Sequence, residues 1–423
     1  MEDFKEHRLF TELRLLYSGT EEYPNTMRFM VQIKDKINLE SYSYAINMIK
    51  KRYPYLCVEL KKDDNGFYFI KNERDFIVGN INKDIILNSE ESNYHLMSFQ
   101  YSDDNYIIVN ISHAIADGNT AYSIIRTLLY YYITDSYKVE LSKENIRLVG
   151  DVIDKEEFED PFLSFKKLVK PTQNNYSKCL NIVKDNNFDQ KEKLLYHLTI
   201  DEKELMEYVK SIKATPGTLL ILLLAKAIKK ENPSSNNVIR MNLCVDLRKL
   251  LNTPLAHQCL VSGIFFDYDE KLINMNLEDE IKTIREIVKD SLQEPQSLEK
   301  LSTMYFLQSM LAKEKDMNKI KQLSNMINTK AEETLTASLS YVGKANFGDS
   351  EKYITDFKTI ANTRHAILIE LAAVNGKFYL EFIQNFCGGR YFDAFKEELD
   401  NLKIKYEFKE PQKFELPKMK QVL

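Results

Sequence analysis

An unbroken apolar run near the middle of the chain limits the possible folds more than any other feature. Leu219 to Ala225 contains only apolar residues and ends at Lys226, and Thr215 and Pro216 suit a helix N-cap and first turn. This pattern predicts a helix to Ile228 that is apolar on all sides and must therefore be buried under other layers. The run is too short to cross a membrane, which needs roughly 20 residues.

Strand-like and helical patterns alternate before residue 150. Helices are predicted over Leu39–Arg52 and Ala121–Ile133, the second with Asn119 or Thr120 as its N-cap. Alternating, aromatic-rich runs predict strands at Met27–Ile33, Leu56–Leu60, Phe67–Ile70, Leu96–Tyr101 and Tyr106–Ser112. The first region is therefore expected to be a mixed α/β unit.

A polar segment from about residue 150 to 193, with acidic clusters and Pro161 and Pro171, separates a second patterned region. That region is expected to contain a strand at Leu194–Ile200, a helix capped by Asp201 and the buried helix. Further strands are predicted at Val238–Val245, Leu260–Tyr268, Thr336–Val342, Ala366–Ala372 and Lys377–Gln384, and helices at Leu277–Leu292, Leu298–Ala312 and Tyr391–Leu402. We divide the 423 residues into lobes at 1–170 and 193–423, joined by a linker at 171–192.

Charge and cysteine content exclude several function classes. The chain has 58 Lys and Arg against 63 Asp and Glu, a formal charge of −5, which argues against nucleic-acid binding. The charged N-terminus lacks a signal-like apolar segment, so a cytoplasmic location is expected. The five cysteines are odd in number, widely spread and without a CxxC pair, so neither a disulfide framework nor a metal site is predicted.

One short motif carries chemistry. His113, Asp117 and Gly118 form HxxxDG directly after the predicted strand Tyr106–Ser112, so the histidine emerges where a sheet ends. A neutral imidazole there can accept a proton from a hydroxyl or an amine. Local chemistry leaves open a histidine that is only hydrogen-bonded beside a turn. A second HxxxD, at His197, lacks the glycine and is better explained by a strand residue followed by a helix cap.

The motif resembles HxxxDG of the CoA-dependent acyltransferase superfamily, which includes chloramphenicol acetyltransferases, alcohol acetyltransferases and peptide-synthetase condensation domains. Other segments resemble family elements in the same order. These are Leu39–Leu56 with its Lys51-Arg52-Tyr53-Pro54 end, the helix Thr215–Ile228, Val245-Asp246-Leu247-Arg248 (a "VDLR" strand) and Ser340-Tyr341-Val342-Gly343 (an "SNxG" strand). Ser112 stands where the condensation branch usually has another histidine, and there is no DFGWG segment, so the alcohol acetyltransferase branch fits best.

The resemblance implies two chloramphenicol acetyltransferase-like α/β sandwich lobes with a central tunnel and His113 at its centre. His113 would be the general base that transfers an acyl group from a CoA thioester to a hydroxyl or amine, without an acyl-enzyme. Asp117 and Gly118 would be structural, with Asp117 paired to Arg248. Candidates for oxyanion or tunnel contacts are Ser340, Tyr341, Gly343 and Asn346.

The implied partners are acyl-CoA, as co-substrate rather than a tightly bound cofactor, and a small-molecule acceptor, with the protein a monomer. A rival interpretation is a condensation-type enzyme that takes its acyl group from a phosphopantetheinyl thioester on a carrier protein. Another is a non-catalytic member that keeps the fold to bind a metabolite or a partner.

Overall fold

The computed structural model describes residues 6–8, 10–64, 66–170, 177–189 and 192–420. Part of the predicted linker, residues 171–176 and 190–191, lies outside this range. The strands are β1 (Glu6–Arg8), β2 (Thr26–Ile33), β3 (Val58–Asp63), β4 (Gly66–Lys71), β5 (Val78–Asn80), β6 (Met97–Tyr101), β7 (Tyr106–Ser112), β8 (Leu194–Asp201), β9 (Ile239–Asp246), β10 (Val261–Tyr268), β11 (Ala337–Lys344), β12 (Ile354–Ala361), β13 (Ile367–Val374), β14 (Lys377–Gln384), β15 (Glu407–Phe408) and β16 (Gln412–Lys413).

The helices include all those that the sequence predicts and several that it does not. They are α1 (Leu13–Ser18), α2 (Leu39–Arg52), α3 (Gly118–Tyr137), α4 (Pro161–Ser164), α5 (Ile182–Asp185), α6 (Glu202–Ser211), α7 (Pro216–Glu231), α8 (Arg248–Leu251), α9 (Glu270–Ile273), α10 (Leu277–Ser291), α11 (Gln296–Lys313), α12 (Met317–Thr334) and α13 (Arg390–Asn401). Thr215 caps α7, whose residues from Pro216 to Ala225 are all buried, as predicted. The expected cap of α3 is wrong, because Asp117 rather than Asn119 or Thr120 accepts the hydrogen bond from the Thr120 amide.

The chain folds into a mixed α/β structure with two main sheets. Within the described residues, one sheet has the order β12-β2-β7-β6-β5 and the other β10-β9-β11-β13-β14-β8-β15, with β16 also paired to β8. A small sheet, β1-β4-β3, lies beside them. Strand β12 comes from the second half of the chain but pairs antiparallel with β2 of the first half. The lobe boundaries stay a prediction, and the chain crosses between the two sheets twice more than they imply, into β12 and back to β13.

Alternation along the larger sheet separates its two faces. On β13, Ile367, Ile369 and Leu371 belong to the core around α7, whereas Leu368 and Ala372 belong to the core of the first lobe. Successive side chains of a strand point to opposite faces. Leu368, Glu370 and Ala372 therefore share the face of the sheet that meets the first lobe. Their cross-strand neighbours point to the same face, which carries the polar side chains described below.

Candidate active site

His113 lies immediately after β7, at the edge where the first lobe meets the second. Its backbone amide donates to the Asn25 carbonyl at 2.8 Å, which extends the pairing of β2 and β7 by one step. Its Nδ1 lies 3.0 Å from the Ala116 carbonyl oxygen. A carbonyl only accepts, so Nδ1 carries a hydrogen, and in the neutral ring Nε2 is the nitrogen with a lone pair. The half-buried ring thus presents a proton-accepting nitrogen away from its own turn.

Asp117 faces away from His113 toward Arg248. The carboxylate is fully buried, and Arg248 Nη1 and Nη2 donate to its two oxygens at 2.8 and 3.0 Å. The amides of Thr120 and Leu260 also donate to it, at 3.1 Å each. Although burial raises the pKa of Asp117, Arg248 and these amides hold it below its usual range. Asp117 therefore stays ionised, caps α3 and ties the first lobe to the second.

The Asp117–Arg248 ion pair also holds the segment before β10 in place through hydrogen bonds. Arg248 donates to the carbonyls of Ala256 and Gln258 at 2.7 and 3.2 Å. This segment carries Cys259, which is buried and near enough to His113 to raise the pKa of its imidazole. The neighbouring His257 is not its partner, since His257 Nδ1 bonds the Tyr55 hydroxyl at 2.7 Å and burial lowers the pKa of His257 to about 3.

The groups around His113 change the pKa of its imidazole. Burial lowers the pKa of the imidazole, but the Cys259 thiol and the Asp117 carboxylate raise it, to about 9 in total. The expectation of a neutral ring at pH 7 is therefore corrected. In the free protein at neutral pH, His113 holds a proton that it must lose before it can act as a base.

A polar row crosses the face of the larger sheet that meets the first lobe. Glu370 on β13 is in register with Ser340 on β11 and Glu381 on β14, and Glu381 is in register with His197 on β8. Burial raises the pKa of Glu370 to about 7, against the hydrogen bond from Ser340 and the nearby charge of His113. Glu370 is half-buried.

The far end of the row is an ion-pair cluster. His197 lies between two carboxylates, with Nδ1 2.6 Å from Glu381 Oε1 and Nε2 2.9 Å from Asp356 Oδ1. Lys409 Nζ donates to the other oxygen of Asp356 at 2.7 Å. Burial lowers the pKa of His197, but Glu381 and Asp356 raise it to about 9. These full partnerships indicate a structural role, in line with the sequence interpretation of His197.

The other predicted site residues are placed in different surroundings. Gly118 packs so tightly against β11 that an added Cβ would lie 2.5 Å from a methyl carbon of Val342, which explains the glycine of the motif. Tyr341 packs with the core around α7, on the opposite face from Ser340. Gly343 lies in an irregularity of β11 with φ of 108°. Asn346 is exposed, and its carbonyl accepts from Arg126 Nε at 2.7 Å.

Sequence reasoning did not find the groups that surround His113. Cys259 and Glu370 have no local motif, and strand pairing and the Arg248 anchor bring them toward His113. All five cysteines are free thiols. Within the described part of the chain, no group of three or more His, Cys, Asp or Glu side chains has an arrangement that could hold a metal ion. No single described helix has the length and apolarity to cross a membrane, although the bent pair α6 and α7 meets that test by length and composition.

The chain has the fold shared by CoA-dependent acyltransferases and condensation domains, as the sequence resemblance implied. Polyketide synthase associated protein 5 from Mycobacterium tuberculosis is 12% identical with a TM-score of 0.62, covering 95% of this chain and 99% of that one. The condensation domain from the Monacolin K polyketide synthase MokA is 11% identical, with a TM-score of 0.58 over 94% and 96% of the two chains. F. sporotrichioides TRI101, complexed with coenzyme A and T-2, is 9% identical, with a TM-score of 0.59 over 95% and 99%. No family model and no curated protein matches the sequence.

Proposed function

We propose that this protein transfers an acyl group from a CoA thioester to a hydroxyl or amine acceptor, with His113 as the general base. The observation that carries the proposal is the contact between His113 Nδ1 and the Ala116 carbonyl. The Nδ1 hydrogen is committed to the Ala116 carbonyl at 3.0 Å, so Nε2 is left to accept a proton. The fold likeness to TRI101, whose structure contains coenzyme A, supports a thioester donor.

The reaction needs one proton to move from the acceptor to the leaving thiolate. As the acceptor attacks the thioester carbonyl, Nε2 of neutral His113 takes its proton and then returns it to the sulfur of the departing thiol. No acyl-enzyme is required. Because the pKa of His113 is raised to about 9, the neutral fraction, and with it the turnover, should increase with pH up to about that value.

Stabilisation of the oxyanion needs a hydrogen-bond donor, and Ser340 is our candidate. Its side chain lies on the face that meets the first lobe, in register with Glu370, whose pKa it lowers. When Glu370 is ionised, the Ser340 hydroxyl donates to the carboxylate. When Glu370 is protonated, it can donate to Ser340, whose own hydrogen is then available to an oxyanion.

A condensation-type reaction is the second candidate, favoured by the likeness to the MokA condensation domain. It would use the same His113 chemistry with an acyl group on a carrier protein. Dependence of turnover on the carrier, with little activity on free acyl-CoA, would select this reaction over the first. A non-catalytic binding protein is the third candidate, and absence of thiol release from either donor with His113 intact would select it.

The test is thiol release from a panel of acyl-CoA donors mixed with alcohol and amine acceptors, with products identified by mass spectrometry. The wild-type protein is compared with His113→Ala and with His365→Ala, which removes another half-buried histidine outside the site. We expect loss of acyl transfer in the first variant and not in the second. Equal activity in wild type and His113→Ala would refute the role of His113.

A further inference from the structure

A buried lysine of β12 has no counter-charge. Lys358 is 6% exposed, and within the described residues its Nζ forms neither a hydrogen bond nor an ion pair. Its contact is with the ring of Tyr106, whose centroid lies 5.6 Å from Nζ. Buried charges are normally paired, because taking a charge out of water is costly. Lys358 would therefore be stabilised by an anion that the described part of the chain does not supply.

Lys358 lines a cavity of about 570 Å³. On one side of it is the first sheet, where Lys358 is in register with Met30 of β2 and shares a face with Tyr106. On the other side are Lys409 and Gln412, from the C-terminal segment that pairs with β8. Sites for small molecules typically have volumes of roughly 300 to 1,000 Å³. The cavity is therefore large enough for a small ligand in contact with Lys358.

The buried charges next to Lys358 compensate one another. Asp356, two residues earlier on β12, is bound by His197 and Lys409. His197 also binds Glu381, so this cluster has two cations and two carboxylates. The pKa of His197, raised to about 9, keeps its ring protonated at pH 7. No negative charge of the cluster is left over for Lys358.

Two exposed carboxylates at the rim do not neutralise Lys358 either. Asp103 and Asp104 line the cavity from the loop before β7, but both are exposed and neither forms an ion pair with Lys358. Water and salt screen such charges, so their attraction for a buried ammonium group is weak.

A second cation on the same face has no described carboxylate as a partner. Arg28 lies two residues before Met30 on β2. Its Nε and Nη1 donate to the Asn110 side chain and the Glu415 carbonyl, at 2.8 and 3.1 Å. Burial lowers the pKa of Arg28 to about 10, as expected for a guanidinium without a nearby anion. The face of the first sheet around Lys358 is therefore positively charged.

We propose that this cavity binds an oxyanion, a carboxylate or a phosphate group, and that Lys358 is its counter-charge. Ser102, Asn105 and Gln412 also line the cavity and carry O–H or N–H groups that can donate to the oxygens of the ligand. A positive face, an unpaired ammonium group and neutral donors together suit an anion better than a neutral ligand.

The cavity is separate from the candidate active site. Tyr106 and Ser112 are the two ends of β7, a strand of 7 residues, so roughly 20 Å separates the cavity from the residue before His113. The oxyanion site therefore goes beyond the proposed acyl transfer and does not depend on it.

The test is calorimetric titration at pH 7 with sodium phosphate, sodium acetate and sodium chloride, each at the same total ionic strength. The proteins are wild type, Lys358→Met, Lys358→Arg and the control Lys377→Met, which removes an exposed lysine of β14. Thermal melting establishes that each variant is folded, and Lys358→Gln replaces Lys358→Met if that variant does not fold.

We expect wild type, Lys377→Met and Lys358→Arg to bind phosphate or acetate more tightly than chloride. Lys358→Met should bind at least about tenfold more weakly, because hydrogen bonds to charged groups are among the strong ones. Binding of phosphate alone assigns a phosphate ligand, binding of acetate alone assigns a carboxylate, and binding of both shows that the site accepts either group. If neither anion binds more tightly than chloride, or if folded Lys358→Met binds like wild type, the oxyanion site is refuted.

Melting temperatures give an independent readout. A ligand that binds only the folded state stabilises it in proportion to its occupancy. The melting temperature of wild type should therefore rise with the bound anion at constant ionic strength, and that of Lys358→Met should not. Equal rises in the two proteins would place the anion elsewhere and overturn the proposal.

Discussion

Neutralising Asp117 tests whether the motif aspartate joins the lobes or only caps a helix. Asn is about as good an N-cap as Asp, so Asp117→Asn removes the charge while the cap of α3 can remain. In wild type, Arg248 Nη1 and the Leu260 amide both donate to Oδ2, at 2.8 and 3.1 Å. An amide nitrogen in that position would face two donors, and an oxygen there would still leave Arg248 without its buried counter-charge.

The expected loss follows from burial. Asp117 is 0% and Arg248 6% exposed, and breaking a buried pair by removing one partner costs roughly 3 to 5 kcal/mol. With an unfolding entropy of roughly 2 cal/mol/K per residue, a cooperatively unfolding chain of 423 residues would melt about 3 to 6 °C lower. Asp246, which contacts Arg248 Nη1 at 3.1 Å, is 41% exposed in its side chain and offers only partial compensation.

The assay is a double-mutant cycle by denaturant or thermal unfolding, with Asp117→Asn, Arg248→Met and the double variant. The double variant should lose clearly less stability than the two single losses together, because it leaves no unpaired charge. Asp267→Asn is the matched control. It breaks another two-point pair, with Arg240 at 2.6 and 2.8 Å, but Asp267 is 37% exposed and Arg240 keeps the carbonyls of Ser177 and Thr334 as acceptors, so the loss should be smaller than that of Asp117→Asn.

Additivity of the two single losses would refute the reasoning. So would an Asp117→Asn loss no larger than that of the Asp267→Asn control. Either result would mean that Asp117 contributes mainly as the cap of α3, and that the contact with Arg248 adds little to the joining of the lobes.

Three further substitutions test the site. His113→Ala should reduce acyl transfer about 100-fold or more at nearly unchanged melting temperature, and more than about a tenth of wild-type turnover would contradict general-base catalysis. Cys259→Ala should remain active and shift the rising limb of the kcat/KM profile below pH 9, because Cys259 raises the pKa of His113; an unshifted limb, or an acylated Cys259 in wild-type mass spectra, would argue against this. His197→Gln should be less stable than wild type at pH 6 and converge with it at high pH. The raised pKa of His197, about 9, gives stability that is complete below about pH 6.5 and lost as the pH rises through 9, so parallel melting curves across that range would contradict the ion-pair assignment.

The sequence pattern was sufficient to predict the helices and strands that are determined by residues close together in the chain. Helix α2 and strands β7 and β14 have the predicted bounds, and α7 begins after the predicted cap at Thr215. In these segments the apolar period and the capping residues agree with the tertiary environment, so short-range physics determines them. The position of His113 at the end of a strand was predictable for the same reason.

Strand β12 was not predicted, and its composition explains why. The buried positions of β12 include Asp356 and Lys358, which break the apolar alternation of an ordinary strand. Asp356 is tolerated inside because His197, Lys409 and the Tyr106 hydroxyl, from distant parts of the chain, bind it. A polar residue in a buried strand becomes understandable once its partners are known.

Some features of the surroundings of His113 likewise follow from neighbouring residues in the sequence, and others follow only from the tertiary structure. The sequence determined that a histidine, an aspartate and a glycine follow one another at a strand end, because the turn and the cap of α3 need only neighbouring residues. Strand order alone decided that Glu370 lies between Ser340 and Glu381, and the buried Asp117–Arg248 pair holds the segment of Cys259 near the imidazole, 146 residues after it in the chain. The pKa of His113 and the charge of its surroundings depend on distances between such residues, and only the folded sheet sets those distances.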